Sequence, residues 1–226
     1  MAALPATAVE SPTVAAMRSW WASKLGRLSR RLGASQIGRE CERELWYSFR
    51  WAFTSHGQRF DGRMLRLFDR GHREEAVFTA ELRGIGIDVR DLDPSTGEQF
   101  EFTGVSGHFV AKIDGVAQGV LEAPKTWHVV SYKTSNAKGF AAILKQGVAV
   151  AKPEHVAQNQ VEMHLADLTR TLYLVVNKDD DTVHGERIRY DAAAAERLMA
   201  KAERVVFAPE PLARLSEDPA FFKCKF

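Results

Sequence analysis

With 226 residues, 45% of them hydrophobic and 27% charged, the chain has the length and composition for an α/β domain with a sizeable core. A formal net charge of +2 gives no global basic field, so any nucleic-acid contact has to come from local basic patches. Its two cysteines, Cys41 and Cys224, exclude a disulfide framework and a complete four-cysteine metal site, and a reducing cytoplasm is the expected compartment. No apolar run approaches the roughly 20 residues of a membrane span, so no membrane association is expected.

The first residues, Met1 to Val14, are rich in Ala, Thr and Pro and lack the charged start of a signal peptide; residues 1–16 are expected to be disordered. Over 17–32, Arg18, Lys24, Arg27, Arg30 and Arg31 alternate with Trp20, Trp21, Leu25, Leu28 and Leu32. This reads as a basic amphipathic helix, either a docking helix with a solvated face or an arm that touches phosphates. Ser35 is placed to cap a second helix, whose buried face is Ile37, Cys41, Leu45, Phe49 and Ala52. Cys41 on that face reads as a buried structural thiol. A third helix over about 63–83 has Leu67, Phe68, Ala76, Phe78 and Leu82 as core candidates and carries Gly71-His72-Arg73-Glu74-Glu75.

Strand signals follow at 87–89, at 99–103 after the turn Asp93–Gly97, and then at 108–114, 116–121 and 127–133. A helix over 137–146 ends at Gly147, and Pro153 opens a longer one to about Leu168. The apolar run 171–176 reads as a central strand. After the polar turn 179–181 come a strand over 183–190 and a helix over 192–206 capped by Asp191. The order predicts one domain over 17–226, with its core at about 31–206: a mixed sheet flanked by helices.

The chemistry centres on two strands. Asp114, before Gly115, ends one apolar strand, and Lys133 lies near the end of a second, in Val129-Val130-Ser131-Tyr132-Lys133-Thr134. Residues 131 and 133 share a strand face. Carboxylates beside a lysine suit phosphodiester hydrolysis: magnesium is held by one or two carboxylates, and the lysine stabilises developing negative charge. Each residue alone also has a plain reading: Asp114 as a turn residue, Lys133 as a strand-edge lysine, Glu75 as a solvated helix charge. His108, His128, His155 and His164 show no zinc spacing.

Together these residues resemble the PD-(D/E)XK superfamily, and the stretch from about Arg31 to Tyr190 resembles its phage-type exonucleases, the group that includes lambda exonuclease and the RecB-type nucleases. Arg31-Leu32-Gly33-Ala34-Ser35 is similar to the opening motif, whose arginine and serine bind a DNA phosphate. Gly71 to Glu75 is similar to the helix motif in which the last residue, here Glu75, is a metal ligand. Asp114 matches the central metal-binding aspartate and Lys133 the catalytic lysine. Ala157-Gln158-Asn159-Gln160 resembles the glutamine motif, in which Gln158 orients the water or the lysine. The resemblance implies a restriction-endonuclease-like core and a metal-dependent DNA exonuclease using Mg2+ or Mn2+, with DNA as partner. It further implies phage-type recombination beside a single-strand annealing or recombination protein, a homo-oligomer as in some relatives, and the cytoplasm of a bacterial host.

The sequence departs from that pattern at Ser131, where the group places Asp or Glu; serine cannot hold magnesium strongly. Three explanations stand. The carboxylate has migrated to the helix opened by Pro153, where Glu154, Gln158 and Glu162 share a face at i, i+4, i+8; Glu162, where relatives carry an aromatic residue, is the better candidate, and Glu122 a weaker one. Alternatively, the site has been knocked out naturally or by engineering. Or the chain is a catalytically silent DNA-binding member of the fold. A chance match in an unrelated α/β enzyme is the remaining class. Some RecB-type relatives also hold an iron–sulfur cluster through one cysteine before the core and three after it. Cys41 and Cys224 stand where two of these would be, which leaves a C-terminal truncation open; two cysteines do not predict a cluster.

Overall fold

The computed structural model describes residues 11–24, 29–50, 61–218, 221 and 223. Five antiparallel and parallel strands build the main sheet, in the order β2 (Asp88–Arg90), β5 (Gly115–Gln118), β6 (His128–Ser135), β7 (Arg170–Asn177) and β8 (Val183–Arg189). In this sheet only β6 and β7 pair in parallel, from Val129↔Thr171 to Ser135↔Asn177. A parallel pair needs a crossover, and the helices α4 (Ala137–Gln146), α5 (Val148–Ala151) and α6 (Pro153–Leu165) supply it. A second sheet of three strands has the order β1 (Leu32–Gly33), β4 (Phe109–Lys112), β3 (Glu101–Gly104). The expected mixed α/β sheet flanked by helices is therefore present, split into two sheets.

Local chemistry sets several helix ends. Asp61 caps α3 (Gly62–Gly84) by accepting the Met64 N–H, Asn136 caps α4 through Gly139 N–H, and Asp191 caps α7 (Ala192–Phe207) through Ala194 N–H. Gly147, at φ +75°, ends α4, and Pro153 opens α6.

Strand β6 is buried on both faces. Val130 and Tyr132 face Phe78 and Leu82 of α3, with the Phe78 and Tyr132 rings stacked at 5.2 Å. Val129 faces the other way, into a core with Phe140, Ile143, Met163 and Tyr173. The side chain at 131 thus points toward the layer formed by α4 and α6. Among the described residues, no helix is long and apolar enough to cross a membrane.

Several expectations need correction. The first helix, α1, spans Pro12–Ser23, not 17–32; residues 12–16, expected to be disordered, are helical, whereas Leu32 is strand. Residues 25–28 and Ala52 lie outside the described residues. The second helix, α2, spans Glu42–Phe49; Ser35 sits in a short 3-10 turn, and the cap is Cys41, whose Sγ accepts the Glu44 N–H. Cys41 is buried, as expected, and Cys224 lies outside the described residues. On α3, Phe78 and Leu82 are buried, but Leu67, Phe68 and Ala76 are exposed, because the helix packs on β6 only through its second half. The run expected as a central strand, β7, is an interior strand as expected, paired with β6 and with the edge strand β8.

The chain passes from one sheet to the other at Ile113 and Asp114, between β4 and β5. Gly115 makes this possible: its φ is +150°, and a Cβ there would lie 2.6 Å from the carbonyl oxygen of Arg90. Gly115→Ala is therefore expected to destabilise the protein by about 2 kcal/mol or more, read as a lowered urea midpoint with unchanged slope. An unchanged midpoint would show that the passage tolerates a side chain.

Candidate active site

Asp114 is half-buried where β4 gives way to β5. Its Oδ2 accepts the backbone N–H of Tyr132 at 2.8 Å. That bond ties the carboxylate to β6 between residues 131 and 133. On β6, Ser131 is 1% exposed and Lys133 is half-buried. The Ser131 Oγ has no hydrogen-bond partner among the described residues.

The helix α6 brings a carboxylate to the same place. Glu162 is 2% exposed, and both its oxygens are held: Gln158 Nε2 donates to Oε1 at 2.6 Å and Asn159 Nδ2 donates to Oε2 at 3.0 Å. Burial pushes the Glu162 carboxyl up to about 7; nearby Lys133 opposes that shift, Asp114 adds to it, and the two amides oppose it. Gln158 is thus placed on the glutamate.

Glu75 reaches the site from α3, on the other side of the sheet. Its carboxyl is raised by burial and by Asp114, against the pull of His72 and Lys133. Glu75 and Glu162 therefore each feel the fields of Asp114 and Lys133. His155 is a further neighbour that the spacing did not single out. It bonds Tyr173 Oη through Nδ1 at 2.8 Å, and burial, with Lys133 and Lys152 nearby, lowers its pKa to about 4.

Other candidates lie elsewhere or are otherwise engaged. Glu154 faces Lys152 at 3.9 Å, and its backbone packs against Gly38. Glu122 is exposed and close to His128, at the opposite end of β6 from Lys133. Arg31 makes a bidentate pair with Glu101, at 2.5 and 3.0 Å, and Lys112 approaches the same carboxylate at 3.3 Å. Ser35 is exposed. Gln160, inside the glutamine motif, donates to Arg189 O and accepts the Asp191 N–H, which latches α6 to β8 and α7. A groove of about 360 Å³ between Arg90, Phe100, Phe102 and Trp127 contains none of the candidate site residues.

The donor set suits a hard dication. Among the described residues, no three His, Cys, Asp or Glu side chains converge as a ready-made metal cage. Magnesium does not require one; it is commonly held by one or two carboxylates, with water and substrate phosphate completing the shell. The Asp114 and Glu162 carboxylates, placed beside Lys133, meet that smaller requirement.

Comparison with known structures places the fold. LHK-Exo, an alkaline exonuclease from Laribacter hongkongensis, matches with a TM-score of 0.54 and 17% identity over 83% of this chain and 90% of its own; one of its crystal structures contains dAMP. A phage-related exonuclease from Haemophilus somnus 129PT matches with a TM-score of 0.50 and 12% identity over 77% of this chain and 92% of its own. The chain has the fold of these exonucleases. This likeness in fold agrees with the phage-type exonuclease core that the sequence motifs implied. At such identities the likeness concerns the fold alone. No protein-family model matches the chain, and no curated protein matches it in sequence.

The position of His155 gives a pH test. Its folded pKa is depressed, so its contribution to stability is present above about pH 6.5 and is lost as pH falls through about 4. The stability difference between wild type and His155→Gln is expected to move by about 2 kcal/mol in favour of the variant between pH 7 and pH 4. Urea unfolding at the two pH values measures it; an equal difference at both would refute the depressed pKa.

Proposed function

We propose that the chain is a metal-dependent deoxyribonuclease, acting as an exonuclease, in which Glu162 has taken over the role of the acid absent at position 131. One observation carries this reading. A buried glutamate, oriented by two amides, stands in the field of Asp114 and Lys133 on the face of β6 to which Ser131 points. The solved exonucleases of the same fold, one of them crystallised with dAMP, support DNA as the substrate.

In this reading Asp114 and Glu162 would hold the cation, and Glu75, on α3, would act on it through its charge. A bound Mg2+ or Mn2+ supplies Lewis acidity and an activated water. The ammonium of Lys133 stabilises negative charge that develops on the phosphate. Gln158 acts on the reaction through Glu162, whose Oε1 it holds. Arg31 and Ser35 bind a phosphate of the strand end, which requires Arg31 to exchange Glu101 for the phosphate. The apolar lid formed by the α4–α6 layer limits water around Glu162 and strengthens these interactions. The reading also places the chain in phage-type DNA recombination, with a strand-annealing partner.

Linear duplex DNA with magnesium or manganese tests this. The chain as it stands should degrade it, and Glu162→Ala should lower the rate at least about a hundredfold. Ser131→Glu should give no gain of that size. Activity that appears only in Ser131→Glu would reject the migrated acid. DNA retention at low salt with no cleavage by either protein would establish the silent DNA-binding reading instead.

A further inference from the structure

We infer that Asn159 is a positioning residue that fixes the Glu162 carboxylate for the cation, an inference that rests on the function proposed above. Asn159 is 0% exposed on α6, three residues before Glu162, and its Nδ2 donates to Glu162 Oε2 at 3.0 Å. A carboxylate accepts and cannot donate, so the amide orientation is set by this bond: the NH2 faces Glu162 and the carbonyl faces away.

The remaining Oδ1 is buried without a partner among the described residues. An unsatisfied buried acceptor costs about 1–3 kcal/mol, and asparagine is a poor interior helix residue. Packing therefore gives no reason for an amide here; an aliphatic side chain would fill the space without that cost. The neighbouring Gln160 makes the contrast clear, because both ends of its amide are spent on Arg189 O and Asp191 N–H, as a structural latch. The one bond that explains Asn159 is the one to Glu162.

That bond has a defined effect. Gln158 alone, at 2.6 Å on Oε1, would leave the carboxylate free to turn about its last torsion. A second donor on Oε2 fixes the plane and leaves one lone pair on each oxygen for a cation. Groups that orient metal ligands in this way are commonly worth 10–100-fold in metal affinity.

The test is calorimetric titration of the full chain with Mn2+, without DNA, beside urea unfolding of the metal-free proteins. The variants are Asn159→Leu, which keeps the volume and removes the donor, and Asn159→Ser, which changes the packing differently. Both should bind Mn2+ about 10–100-fold more weakly than wild type, and Mn2+ should raise their unfolding midpoints less. Gln160→Leu should lose stability and keep its Mn2+ affinity. A folded Asn159 variant that binds Mn2+ within about twofold of wild type overturns the inference while leaving the proposed function standing. Absence of Mn2+ binding by wild type, or its survival in Asp114→Ala, overturns the proposed metal site itself.

Discussion

The carboxylate of Asp114 accepts the Tyr132 N–H at 2.8 Å, and the geometry of the site depends on that bond. The β5–β6 ladder runs from Ala117↔His128 to Gly115↔Val130 and stops there, because the chain leaves for the other sheet. Tyr132 N–H would otherwise lose its partner on this side of β6, in the half-buried interior where an unpaired donor is costly. Asp114 supplies the missing acceptor with a side chain instead of a backbone carbonyl. One charge thereby finishes a sheet and is fixed opposite the segment from Ser131 to Lys133. Gly115 is what lets the aspartate stand there, since the Arg90 carbonyl occupies the space of a side chain.

Strand parity then decides which elements can serve the site. Tyr132 turns into the α3 layer, where its hydroxyl lies 3.3 Å from Thr79 Oγ1. Ser131 and Lys133 turn toward α6. An acid at 131 would have projected from the strand; Glu162 approaches from the facing helix and reaches the same neighbours, Asp114 and Lys133. The buried position of Glu162 is not neutral in energy. A carboxylate buried to 2% exposure is raised in pKa, and the neighbouring Lys133 and the amides of Gln158 and Asn159 only partly offset the burial. A dication would relieve that burden more fully than any of them.

The parts that were legible in the sequence are the parts set by local chemistry. The helix over 137–146 was found to the residue, because an asparagine, a glycine and a clean apolar face define it. Asp114, Lys133 and Glu162 were singled out by motif order and helical spacing, which are sequence properties, and the structure sets Glu162 in the field of the other two. The second helix was placed too early for a tertiary reason. Residues 37 to 41 follow the helical period, and Ile37, Cys41 and Leu45 are all buried. Yet Lys201, from α7, donates to the carbonyls of Ile37 and Arg39 and holds that stretch as a turn. Nothing near residue 37 announces a lysine more than 160 positions away. Leu67 and Phe68 failed similarly, since apolar period does not say how far along a helix its partner extends. Asn159 carried no signal of its own; only the carboxylate it meets in space gives it meaning.

The opening motif shows where resemblance and geometry part. Similarity supplies Arg31 as a phosphate ligand, and the structure supplies its present partner, Glu101. The pairing raises the Arg31 pKa and lowers that of Glu101, as a well-formed bidentate pair should. Such pairs at a half-exposed surface are worth only about 0–1 kcal/mol, because water screens them. A doubly anchored phosphate competes well against that, and Lys112, on the same carboxylate at 3.3 Å, keeps Glu101 paired after Arg31 leaves. The exchange strands no charge. In the proposed reading Glu101 would act as a holder that keeps the guanidinium ordered, so that the entropy of fixing a long side chain would be lost before a strand end binds.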